Sequence, residues 1–332
     1  MRIDPLRQHL CELGAKPGHA ARLLRAWTQG RPLDAGPVPA SDFFPAALRA
    51  ALPALAEELD GLVRPVTEEA GADGSARLLL ALADGQTVES VLLPRAAVCV
   101  STQVGCAVGC AFCMTGRSGL LRQLTSGEIV AQVVQARRRR AVRKVQFMGM
   151  GEPAHNLDNV LEAIELLGTH GAIGHKNLVF STVGDRRAFE RLPRAVVRPA
   201  LAISLHSTRA ELRARLLPKA PPFDPAELVA LAEDYARATG YPIQYQWTLL
   251  EGINDGDDEL DGLVRLLKGK YAMMNFIPWN AVDALPFRRP DPERAAAMAL
   301  YLHRHGILAK LRQSAGQDVE GGCGQLRARV LS

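Results

Sequence analysis

From about residue 95 onward, short apolar runs alternate with longer segments whose apolar positions recur at helical spacing. The runs predict strands near 97–101, 144–148, 177–181, 200–204, 243–249, 272–277 and 307–311. The longer segments predict helices over 126–139, 159–167, 226–238, 257–267 and 292–305. Strands alternating with helices imply right-handed crossovers and a parallel sheet, and periodicity leaves open whether that sheet is open or curls into a barrel.

The first ninety residues follow another rhythm. Asp4 suits a helix cap and Pro5 a first turn; Leu6, Leu10 and Leu13 share a face, and Gly14 ends the segment. Cys11, beside that stripe, is expected as a small buried hydrophobe. Further helices are expected over 18–29 and 46–58, followed by two strands within 75–93 joined by Asp84-Gly85, a favoured hairpin dipeptide. The expected division is a small, mainly helical accessory domain with a β-hairpin over 1–93 and an α/β core over 94–332. No solenoid or propeller repeat and no low-complexity linker interrupts either part.

Composition narrows the class. Of 332 residues, 48% are hydrophobic and 23% charged, which excludes wholesale disorder and collagen-like architecture. A net charge of +5 permits a polyanionic partner without requiring one. The N-terminal stretch lacks the apolar core of a signal peptide, and no apolar run reaches the roughly 18 residues of a membrane span, so a cytoplasmic protein is expected. In such a compartment six cysteines suggest metal or redox chemistry before structural disulfides.

Three of those cysteines share one loop, Cys106-Ala-Val-Gly-Cys110-Ala-Phe-Cys113, directly after the first core strand. Three thiolates can hold three corners of a soft metal centre, and Ala107, Gly109 and Ala111 let the backbone wrap it. The fourth Cys or His that closes a structural zinc site is missing from the spacing, so one corner is open to a ligand. Gly149-Met-Gly-Glu152 turns sharply off the next strand; its glycines allow close main-chain approach, and Glu152 can accept hydrogen bonds from a ligand ammonium. Ser181, Ser204-Leu205-His206 and Asn280 fall at successive strand ends, which in a β/α barrel converge on one face.

The Cys-x3-Cys-x-aromatic-Cys spacing resembles the signature of the radical S-adenosylmethionine (SAM) superfamily. Several segments in register sharpen it: Val88-Glu-Ser-Val91, Cys99-Val-Ser-Thr-Gln-Val-Gly-Cys106, Phe147-Met-Gly-Met-Gly-Glu152, Ser204-Leu-His206, Ile277-Pro-Trp-Asn280 and Cys323-Gly-Gln-Leu326. Together they resemble the RlmN/Cfr adenosine methyltransferases. That resemblance implies a radical SAM partial β/α barrel with a [4Fe-4S] cluster on Cys106, Cys110 and Cys113. It implies SAM held by Gly151, Glu152, Ser181, Ser204, Leu205, His206 and Asn280, with two SAM consumed per turnover.

By the same resemblance Cys323 accepts a methyl group from one SAM, and a 5′-deoxyadenosyl radical from the second removes hydrogen from it. The resulting carbon radical adds to an adenosine carbon; Glu89 serves as base, and Cys99 attacks the sulfur of Cys323 to leave a transient disulfide. A flavodoxin- or ferredoxin-like electron donor, an rRNA or tRNA substrate and a monomeric enzyme are implied. Ile277-Pro-Trp-Asn280 is more similar to the C2-methylating branch, whereas Met114-Thr-Gly-Arg-Ser-Gly119, Phe147-Met148 and His206-Ser207 are more similar to the C8-methylating, antibiotic-resistance branch. The alternatives are a radical SAM enzyme with a non-RNA substrate and a non-catalytic iron–sulfur or zinc RNA-binding protein. Arg137-Arg-Arg-Arg140, with Arg143-Lys144, is a dense basic run that suits phosphate contacts or a solvated face.

Overall fold

The computed structural model describes residues 1–117, 119–282 and 285–328. Residue 118, inside the Met114–Gly119 segment, and the end of the C-terminal region lie outside the described residues. The chain begins with helices α1 (Ile3–Glu12), α2 (Pro17–Thr28), α3 (Ala40–Phe43) and α4 (Ala46–Gly61), then strands β1 (Val63–Ala70), β2 (Ala76–Leu82), β3 (Thr87–Leu93) and β4 (Ala97–Val100). A short hairpin, β5 (Gln103–Gly105) and β6 (Leu120–Gln123), brackets the cysteine loop. The rest runs α5 (Ser126–Arg137), β7 (Lys144–Phe147), α6 (Leu157–Thr169), β8 (Leu178–Thr182), α7 (Arg186–Arg191), β9 (Ala200–Ser204), α8 (Ala210–Leu216), α9 (Pro225–Thr239), β10 (Ile243–Leu249), α10 (Asp257–Leu267), β11 (Ala272–Pro278), α11 (Pro292–Arg304) and β12 (Leu308–Leu311).

Ten strands form one sheet in the order β1-β2-β3-β4-β7-β8-β9-β10-β11-β12. The first four are antiparallel; from β4 to β12 every pairing is parallel. Strands β1 and β12 remain unjoined edges, so this is a partial barrel, as the sequence pattern combined with the family resemblance implied.

Strict alternation gives the parallel strands two faces. One carries Val98, Val145, Phe147, Leu178, Phe180, Leu201, Ile203, Trp247 and Phe276, all buried in the main core against the helices. The other carries Cys99, Gln146, Ser181, Ser204, Gln246, Thr248 and Asn275, in register across the strands. A small apolar patch of Val179, Ala200 and Ala202, with Met148 against it, lies on this inner face. Small and polar side chains there leave room for a ligand where the outer face is packed solid.

Helix α5 is buried along its whole length, from Ser126 to Ala136, because the N-terminal helices α2 and α4 cover the side that the sheet does not. A capping box starts it: Thr125 Oγ1 accepts from the Glu128 N–H at 3.3 Å, and Glu128 Oε2 accepts from the Thr125 N–H at 2.8 Å. Two sequence expectations fail in α1. The cap position is Arg2, and Asp4 lies inside the first turn, paired with Arg7 at 3.3 Å. Cys11 is exposed, because one step beyond Leu10 rotates it about 100° off the buried Ile3, Leu6 and Leu10 stripe.

Candidate active site

The cysteine loop leaves β5 at Cys106 and closes on itself at Gly116. A Cβ on Gly116 would stand 2.7 Å from Gly109 Cα, so only glycine permits the closure. Cys106 is buried and Cys110 and Cys113 are partly so, in an apolar shell of Val108, Phe112, Leu216, Leu217 and Trp279. Burial pushes the Cys106 thiol up to about 12, and burial and neighbouring thiols raise Cys110 and Cys113 too. Such thiols ionise at neutral pH only against a bound cation.

Among the described residues no three His, Cys, Asp or Glu side chains stand close enough to ligate one metal ion. The donor set is thiolate alone, three in number and mutually close enough to perturb one another. Those properties fit an iron–sulfur cluster with one thiolate on each of three irons and a fourth iron open.

Beside the loop, Glu152 is buried after β7. Its Oε1 accepts from the Ala154 N–H at 3.0 Å and its Oε2 from the Val183 N–H at 2.9 Å, while its own N–H donates to Gln103 Oε1 at 2.7 Å. Burial raises its carboxyl to about 7 against these hydrogen bonds. Gly151 has φ +104°, and a Cβ there would lie 2.7 Å from Gln103 Cβ. The turn therefore needs glycine to bring main chain against the site.

His206 follows β9 with φ +59°. Its Nδ1 accepts from the Thr248 N–H at 2.9 Å, which assigns the ring proton to Nε2, and its ring meets Phe112 edge-on at 4.8 Å. Burial and Arg213 depress the imidazole to about 3, so it is neutral. The histidine thus props the aromatic residue before Cys113. Ser181 and Ser204 are half-buried on the inner face, and Leu205 is buried next to them. Asn280 is buried, donates to Cys323 O at 2.9 Å and to Ser314 Oγ at 2.8 Å, and its own Oδ1 has no partner among the described residues. An orphaned buried acceptor beside the thiols is a place for a ligand donor.

The C-terminal segment is stitched into this site. The Met114 N–H donates to Gly324 O at 2.8 Å, Thr115 Oγ1 to Leu326 O at 2.6 Å, and Gln325 Nε2 to Ala281 O at 3.1 Å. A cavity of about 120 Å³ results, lined by Cys99, Cys113, Gln146, Met148, Gly149 and Cys323 among others. Cys99 is buried and Cys323 exposed, and burial raises the Cys99 thiol well above its ordinary range. All six cysteines are free thiols.

Glu89, on β3, is fully buried. Arg77 on the neighbouring strand ion-pairs with it, the Arg327 N–H donates to its Oε2 at 2.9 Å, and Ser101 Oγ donates to its backbone carbonyl at 2.6 Å. Two further residues escaped the sequence reading. Arg77 also pairs with Glu69 at 2.6 Å. Arg213 is buried on α8, donates to Val183 O and Ser204 O, and sits in the field of Cys110 and Glu152. No motif marks either arginine; only the tertiary fold supplies their carboxylate and carbonyl partners.

The basic run, which the sequence left open between phosphate contacts and a solvated face, has partners within the chain. Arg137 donates to Thr28 O at 2.6 Å, Arg138 pairs with Asp60 at 2.6 Å, Arg139 with Glu68 at 2.7 Å, and Arg140 donates to Gly74 O at 2.7 Å. These four arginines tie the N-terminal region to the end of α5.

An open, mainly parallel partial barrel with three thiols at the mouth and a buried carboxylate turn beside them defines an enzyme class that couples an iron–sulfur centre to SAM. The radical SAM superfamily profile matches residues 100–266. A protein of Aromatoleum aromaticum named a probable RNA methyltransferase is 73% identical over 332 residues, covering 100% of this chain and 94% of its own. A like-named protein of Pseudomonas aeruginosa is 67% identical, covering 99% and 96%. Among solved structures, a radical SAM methyltransferase from Sphaerobacter thermophilus is 36% identical with a TM-score of 0.86, covering 98% of each chain. SuiB of Streptococcus suis, at 12% identity, TM-score 0.51 and coverage of 68% of this chain and 52% of its own, shares the fold alone. The chain belongs to the radical SAM superfamily. Its relatives make it a SAM-dependent methyltransferase, and the family implies a [4Fe-4S] cluster.

Proposed function

We propose that the protein methylates an adenosine carbon, C2 or C8, of rRNA or tRNA in the manner of the RlmN/Cfr enzymes, with Cys323 as the methyl carrier. The observation that carries this reading is the shared cavity: Cys99 from β4 and Cys323 from the C-terminal segment face one space with Cys113 of the cysteine loop. The names of the full-length relatives favour RNA as the substrate.

Cys106, Cys110 and Cys113 would hold the cluster, with Glu152 turned to the SAM ammonium and Asn280 Oδ1 open to a ligand donor. With SAM, the cluster supplies a 5′-deoxyadenosyl radical, as the superfamily implies. Cys323 would take the methyl group of one SAM, with S-adenosylhomocysteine as the leaving group; once a second SAM had served for hydrogen abstraction, the resulting methylene radical would add to the base. An adenine C–H carbon offers no lone pair to a sulfonium methyl, which is why a radical route is needed.

Glu89 takes the proton from the substituted carbon, and its Arg77 partner holds the carboxylate in place. The adduct radical would return one electron to the oxidised cluster; Cys99 would then attack the Cys323 sulfur, the carbon–sulfur bond breaking as the disulfide forms and the released methylene carbon taking a proton to become the methyl group, and an electron donor of the flavodoxin or ferredoxin class would restore both thiols with two electrons. Exposure sets the order: the accessible Cys323 meets the RNA, and the buried Cys99 waits behind it.

Mass spectrometry of nucleosides from cells with and without the gene tests the function. Loss of C2- or C8-methyladenosine from rRNA or tRNA is expected, and unchanged levels of both would refute the reading.

A further inference from the structure

Below the thiol cavity the inner face of the partial barrel turns basic. Lys144 lies two residues before Gln146 on β7, and Arg312 lies two residues before Ser314 after β12; Gln146 and Ser314 both line the cavity of Cys99 and Cys323. Lys310, on β12, is in register with Asn275 of β11. Lys144 is half-buried, and Arg312 and Lys310 are the charges that act on it, each opposing its own. None of the three makes an ion pair among the described residues.

Two other basic groups are neutralised internally. Arg138 and Arg139 are spent on Asp60 and Glu68. The groove of about 410 Å³ near the N-terminus sets Arg2, Arg7 and Arg191 against Glu162, Glu165, Asp4 and Asp158. Lys144, Lys310 and Arg312 have no such acidic partners among the described residues, and they stand beside the thiols. A second observation lies in the same layer: Asn275 is 1% exposed, and among the described residues neither its Oδ1 nor its Nδ2 has a partner. Unmet buried amide capacity next to unpaired cations describes a site for a polar anion.

We propose that Lys144, Lys310 and Arg312 form the phosphodiester subsite that holds the RNA strand at the side of the barrel while the target base reaches the thiol cavity. This rests on the RNA reading above. Phosphate contacts fix register and carry no sequence information, so the subsite sets affinity and placement, not base choice.

The test uses the full-length, cluster-loaded enzyme and unfractionated tRNA and rRNA from cells lacking the gene. The variants are K144M/K310M/R312M and, because Lys144 is half-buried, the exposed pair K310M/R312M. Each phosphate contact removed should lower the salt slope of RNA binding by about 0.7 to 0.9. The triple variant should lose about two units of slope and gain at least about tenfold in KM for RNA, with kcat at saturating RNA within about twofold, and K310R/R312K should restore binding. If the wild type methylates RNA while both variants keep its slope and KM, the subsite is refuted and the function reading stands. A fall in kcat with unchanged KM also overturns it. A wild type that neither binds nor methylates RNA sinks the function reading and the subsite with it.

Discussion

Arg77→Met should destabilise the protein by leaving Glu89 as a buried carboxylate without its cation. Glu89 is 0% and Arg77 5% exposed, so neither charge is relieved by solvent. Breaking a buried pair by removing one partner costs about 3–5 kcal/mol. Here Glu89 keeps the Arg327 N–H at 2.9 Å, which places the expected loss at the lower end, about 3 kcal/mol, or roughly a hundredfold in the folded-to-unfolded ratio. With a urea slope of about 3 kcal/mol/M the unfolding midpoint falls by about 1 M. Arg77→Met/Glu89→Gln removes the orphaned charge as well and should regain at least half of the loss. Urea titration of the anaerobically purified protein measures all three. An unshifted midpoint in the single variant, or a double variant no more stable than the single, would refute the buried-pair reasoning.

Other consequences follow from the same geometry. Glu152 must be ionised to hold a SAM ammonium, and burial places its carboxyl near 7, so SAM affinity should be full above that pH and fall up to about tenfold per unit below it. Equilibrium binding of SAM shows this limb, Glu152→Gln should abolish it, and a flat wild-type profile would contradict the assignment. The same raised carboxyl binds its proton more tightly folded than unfolded, so without ligand it should lower stability as pH rises from about 4.5 to 7, read by thermal unfolding. His206 is neutral across the physiological range, so the pH–rate profile should carry no limb near 6.5 that His206→Gln removes. Gly151→Ala imposes a side chain at φ +104°, 2.7 Å from Gln103 Cβ; a cost of about 1–3 kcal/mol and loss of SAM binding are expected in calorimetry, and wild-type binding would argue against a tight turn.

The parallel strands were legible because each is a short apolar run set between helical segments, and all seven fall within a residue or two of their expected places. The cysteine loop was legible because its donors are contiguous. Strand β1 was not: all but its first residue are exposed, and Pro65, Glu68 and Glu69 give it no apolar signal, so only pairing with β2 makes it a strand. The meeting of Cys323 with Cys99 came from family resemblance, since no local pattern encodes it, and hydrogen bonds from Met114, Thr115 and Asn280 create it. The partners of Arg137–Arg140 were illegible for the opposite reason: a charge run states its charge and not what it pairs with.

Whether Cys323 carries a methyl group can be weighed directly. Intact-protein mass of Cys99→Ala, expressed with its cluster and digested to locate any adduct, should show one added methyl on Cys323 that is absent from Cys99→Ala/Cys323→Ala. Unmodified Cys323 in a variant that still binds SAM, or wild-type methylation of RNA by Cys323→Ala, would contradict it.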